Sequence, residues 1–167
     1  MFRRTRGIKV FILLFLFLLS SPVMADDCEH DEKNFRCVEF LYNHDGDTLT
    51  VEIPDVPAVL GHRALIRVRG IDAAEMNGNG PCERDMAIRA QVEVSTLLRS
   101  AKRIDLLHID RDKYFRILTD VMVDGKSLSG ILISSHLAVP YNGKKKPVVD
   151  WCALLRQASK GKKVITK

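Results

Sequence analysis

Beyond its first 25 residues the chain has almost no net charge. The formal balance is +5, from 26 basic and 21 acidic residues. Arg3, Arg4, Arg6 and Lys9 all lie in residues 1–25, which contain no acid, so 22 basic residues face 21 acids in the remaining 142. A net of +1 does not indicate a globally basic nucleic-acid binder. Close-set pairs of cysteine or histidine are also missing: His30, His44, His62, His108 and His136 are scattered singly, so no zinc site is indicated. No small-residue lipidation motif precedes Cys28, because Asp26 and Asp27 stand there. There is no internal repeat, and no low-complexity segment beyond the N-terminal one.

That N-terminal segment has its bases first, then an apolar run from Val10 to Leu19, then Val23 and Ala25 placed as small residues before a cut. It has the form of a secretory signal peptide, residues 1–25. The run is too short to cross a bilayer comfortably, and Ser20, Ser21 and Pro22 interrupt it. The expectation is cleavage after Ala25, with a product free of the membrane, periplasmic or secreted. All four cysteines follow the cut, and an even count in an oxidising compartment favours two disulfides. Local spacing suggests Cys28–Cys37 and, by elimination, Cys82–Cys152; the other two connectivities stay open.

Charge is unevenly spread. Residues 26–55 hold ten acids and only Lys33 and Arg36, whereas 141–167 hold eight bases and only Asp150. The expected organisation is an acidic, loose lead-in over 26–35, one domain over 36–160 and a basic tail over 161–167. Within the domain CVEFLYNH reads as a strand, and DTLTVEIP alternates Leu49, Val51 and Ile53. In RALIRVRGI, Ile66 and Val68 share one face, so Arg67 and Arg69 point away from the core. A helix follows with Ala87, Ala90, Val94, Leu97 and Leu98 on one stripe; then RIDLLHI and YFRILTDVMV read as strands, the second ended by Asp124-Gly125. Short helices are expected near 127–135 and from Asp150, an N-cap. The order describes an α+β domain, for which a five-stranded barrel with packed helices is the fitting architecture.

The stretch IRVRGIDAAE concentrates charge of both signs at one strand end. Surface ion pairs contribute about 0–1 kcal/mol and do not require such density. A phosphodiester does: its hydrolysis needs cations aimed at developing oxyanions and a base for water. Arginine supplies a fork matching two phosphate oxygens. Asp47, beside Asp45 and a glycine, could meet Asp72 if the second and third strands are adjacent, and such oxygens suit calcium better than zinc. Glu75, three residues past Asp72, would orient or deprotonate water. Tyr141 reads equally as a base-stacking ring and as a packed tyrosine, and Arg69 as a nucleic-acid contact or a structural ion pair.

The segments DGDTLTV, RVRGIDAAE, DRDKYFR, VDGKSL and LAVPY, in that order, resemble the staphylococcal-nuclease-like, or thermonuclease, family from about Cys37 to Tyr141. The resemblance implies a five-stranded oligonucleotide-binding (OB) barrel with about three helices. It implies calcium bound by Asp47, Asp72 and the Ala73 carbonyl, with Asp45 in a supporting position. By the same resemblance Arg67, Glu75 and Arg116 are catalytic, and Lys113 and Tyr114 lie near the nucleotide phosphate. Two departures stand out: Phe115 where the family usually has glycine, and Ala73-Ala74 where a pair usually ends in proline. The implied activity is a monomeric, calcium-dependent hydrolase cutting DNA and RNA with little sequence preference and leaving 3′-phosphate ends. A catalytically silent OB module that binds nucleic acid or a protein partner is the alternative.

Overall fold

The computed structural model describes residues 28–161. The expected signal peptide and nearly all of the basic tail lie outside them. The elements are β1 (Glu39–Asn43), β2 (Thr48–Glu52), α1 (Ala58–Gly61), β3 (Ala64–Val68), β4 (Ile71–Ala73), α2 (Pro81–Ser100), β5 (Ile104–Arg111), β6 (Ile117–Val123), β7 (Lys126–Ser127), α3 (Leu128–Ser134), β8 (Ala138–Pro140) and α4 (Trp151–Gly161).

Five strands form the main path in the order β1-β2-β3-β6-β5, with β7 added to β6; β4 and β8 pair separately. β3 and β6 run parallel and the other pairs antiparallel. The sheet curls until β5 meets the chain just before β1: Phe35 and Leu106 exchange backbone hydrogen bonds of 2.8 and 2.7 Å, and Val38 N–H donates to Ile104 O at 2.9 Å. This is an α+β, OB-like half-barrel. The acidic lead-in, expected to be loose, is tied from Cys28 onward by that bridge and by the Cys28–Cys37 disulfide.

Alternation drives the inner face. Leu49, Val51, Ile66, Val68, Leu106 and Val121 are buried, and β6 buries every second residue. Helix α2 packs into the core through Met86, Ala87, Ala90, Val94 and Leu98. It begins with Pro81 at its first position, where the missing N–H costs nothing. Ser127 caps α3 by accepting from Gly130 N–H at 3.2 Å. Cys82–Cys152 fastens the start of α4 to the start of α2, across 70 residues of chain.

The structure corrects two strands: YFRILTDVMV becomes strand only from Ile117. RALIRVRGI is broken at Gly70, whose φ of +82° turns the chain out of β3 and into β4. Arg67, on the face opposite Ile66 and Val68, is nevertheless buried, at 9% exposed. The reason is that its guanidinium is received by acids and carbonyls at the barrel end.

Candidate nucleic-acid site

The site is built where the loop before β2, the β3–β4 break and the β5–β6 turn meet. Asp45 Oδ1 accepts from the N–H groups of Asp47 (2.8 Å) and Thr48 (2.7 Å), folding the loop back on itself. Gly46 makes this possible, since a Cβ there would lie 2.8 Å from the Cβ atoms of both Ala73 and Ala90. Asp47, 6% exposed, is thereby aimed at β4, where Ala73 N–H donates to its Oδ2 at 2.8 Å.

Arg67 joins the acids. Its Nη2 lies 3.1 Å from Asp47 Oδ2 and 3.7 Å from Asp72 Oδ1, and its nitrogens donate to Val68 O (2.7 Å) and Ile71 O (2.8 Å). Two acids from different elements therefore face one nitrogen. β2 and β3 are adjacent, with Thr48 opposite Arg67. Glu75, just past β4, is half exposed, and Lys146 Nζ bridges it to Asp72, at 2.7 Å from Glu75 Oε1 and 3.2 Å from Asp72 Oδ1.

On the other side, Arg116 Nε donates to Asp112 Oδ2 at 2.7 Å, and its Nη1 reaches Thr48 Oγ1 at 3.4 Å. Thr48 in turn donates to Asp47 Oδ1 at 3.1 Å. A single buried hydroxyl thus links Arg116 to the acids. Lys113 and Arg116 both lie over the Tyr114 ring, at 5.0 and 5.4 Å from its centre. Tyr141 follows β8; its N–H donates to Gly70 O and its hydroxyl to Lys144 O, both backbone carbonyls. Arg69 turns to β5 and β6, donating to His108 O and Leu118 O, with Asp120 at 3.8 Å.

At both acids burial outweighs the neighbouring cations. Burial pushes the Asp47 carboxyl up to about 6, against the pull of Arg67. Asp72 is raised by burial too, with Lys146 opposing. Lys146 is raised although burial alone would lower it, because Glu75 and Asp72 hold its proton. Among the described residues no three His, Cys, Asp or Glu side chains cluster closely enough to hold a metal by themselves. Two desolvated carboxylates facing one point still fit a hard cation that keeps some of its water, and added positive charge there relieves the cost of burying Asp47.

Sequence reasoning missed Thr48 and Lys146. The Thr48 hydroxyl is inconspicuous inside an alternating strand. Lys146 looks like one of three solvated lysines, and only the fold brings it across 71 positions to Glu75.

An OB-like half-barrel carrying arginines and carboxylates at one end defines a nuclease or nucleic-acid-binding module. The chain belongs to the staphylococcal nuclease homologue family, whose model matches residues 65–164. The match includes Arg67, Asp72, Glu75 and Arg116 and begins after Asp47, which the fold itself adds to them. Comparison with curated proteins finds no match.

Proposed function

We propose that this protein is an exported, calcium-dependent nuclease that hydrolyses phosphodiester bonds of DNA and RNA with little sequence preference. The observation that carries the reading is the meeting of Asp47 and Asp72 at one nitrogen of Arg67. Asp47, Asp72 and the Ala73 carbonyl would hold calcium, which supplies, when bound, a positive centre beside the phosphate and a place for water. Glu75 accepts the proton of the attacking water as its oxygen bonds to phosphorus. Arg67 and Arg116 neutralise charge growing on the nonbridging oxygens. The bond to the 5′ oxygen breaks, its electron pair leaves with that oxygen, and phosphate remains on the 3′ side. Asp45 shapes the loop, and Lys113 and Tyr114 would meet the neighbouring phosphate. Two disulfides support an exported state, and among the described residues no helix is long and apolar enough to cross a membrane.

One contact favours a second reading, a module that binds nucleic acid without cutting it: Lys146 already neutralises the proposed base. The test incubates purified protein with single-stranded DNA, in calcium or in chelator, beside Glu75→Gln, Arg116→Ala and Lys146→Ala. The nuclease reading predicts calcium-dependent cutting that falls about 100-fold or more in the first two variants. Binding without cutting by both wild type and Lys146→Ala would establish the silent module. Cutting unaffected by Glu75→Gln and Arg116→Ala would place the chemistry elsewhere.

A further inference from the structure

The turn between β5 and β6 contains a side chain that the proposed chemistry leaves unused. Phe115 has φ of +62°, in the left-handed region that a residue with a Cβ rarely adopts. The residue is 82% exposed. Strain and exposure of a large apolar ring both work against the folded state, and they recur together where a binding surface needs them.

The turn fixes the backbone that carries this ring. Phe115 N–H donates to Asp112 O at 3.0 Å, and its carbonyl accepts from Arg111 Nη1 at 2.7 Å. Asp112 Oδ1 accepts from the N–H groups of Tyr114 and Arg116 at 2.8 and 2.9 Å. The backbone on both sides of Phe115 is therefore pinned, while its side chain faces solvent. The neighbouring ring, Tyr114, is already engaged by the Lys113 and Arg116 cations. Arg111, bonded to the Phe115 carbonyl, and Lys113 and Arg116, over the adjacent Tyr114 ring, thus bring three bases into the turn that carries an open aromatic side chain, a combination suited to a polyanion carrying flat, unpaired rings.

We propose that Phe115 is a stacking platform for one base of a single-stranded nucleic acid whose phosphates run past Lys113 and Arg116. This rests on the nucleic-acid reading of the site and adds a preference for single over double strands, because a paired base cannot turn its face to the ring. A glycine at this position would relieve the strain and abolish the platform, so fold stability and binding should respond in opposite directions.

The test measures affinity by fluorescence anisotropy in chelator, for a labelled single strand and for its duplex. Phe115→Gly and Phe115→Leu are each expected to weaken single-strand binding about tenfold, to leave duplex binding unchanged and to keep the wild-type slope of affinity against salt. Phe115→Trp is expected to bind the single strand at least as tightly as wild type. Phe115→Gly is expected to unfold at no lower temperature than wild type, which separates a lost platform from a damaged fold. Single-strand binding by Phe115→Leu equal to wild type overturns the platform while leaving the site reading intact. Equal losses on single strand and duplex also overturn it, as does a wild type that binds neither, which removes the nucleic-acid reading as well.

Discussion

Asp47 is where sequence, burial and proposed chemistry meet most closely. A carboxyl held at about 6 in the fold, against an ordinary value of 3.8, binds its proton more tightly folded than unfolded. Its ionisation therefore works against the fold: the contribution from the protonated form is full below about pH 4 and is lost as pH rises through about 6. Asp47→Asn fixes the side chain in a neutral state. In chelator, the melting temperature of Asp47→Asn relative to wild type should rise between pH 4.5 and pH 7, as read by scanning calorimetry. A constant difference would mean that burial does not disfavour this charge. The carboxylates and arginines were legible in the sequence as residue types, yet the burial of Arg67 was not. Alternation with Ile66 and Val68 says only that Arg67 faces the other way, and it cannot say that Asp47 and Asp72 wait there.

At the scale of elements, the site depends on how closely the loop before β2 approaches its neighbours. The sequence shows Gly46 as a turn residue, whereas the structure shows it as a spacer wedged against Ala73 of β4 and Ala90 of α2. Gly46→Ala should destabilise the protein by about 1–3 kcal/mol, measured by denaturant unfolding, because neither Cβ it meets can rotate away. A neutral Gly46→Ala would show that α2 does not pack on this loop. Strong periodicity made β2, β6 and α2 readable, since a buried face repeats every two residues in a strand and along one stripe of a helix. The short pair β4–β8 was not readable, because its three-residue strands are defined by each other rather than by a local pattern. The same holds for the segment between β8 and α4 that carries Lys146. Its position follows from Tyr141 bonding to Gly70 at one end and Cys152 bonding to Cys82 at the other. Likewise YFRILTDVMV reads as one strand, but Asp112 captures the N–H groups of Tyr114 and Arg116 and delays β6 until Ile117.

For the molecule as a whole, the half-barrel gathers onto one end charges that are scattered along the chain. Asp47, Arg67, Asp72, Glu75, Arg116 and Lys146 come from the first loop, the β3–β4 corner, the β5–β6 turn and the segment before α4. With residues 26–167 near charge balance, attraction of the proposed product for nucleic acid would have to come from this local arrangement rather than from the net field. A ligand that binds only the folded arrangement also stabilises it. The most direct measurement is a calorimetric titration of calcium into the wild type, Asp47→Asn and Asp72→Asn. A single calcium site is expected in the wild type and lost in both variants, with a calcium-dependent rise in melting temperature that disappears with it. Either variant binding calcium as tightly as the wild type would contradict this expectation.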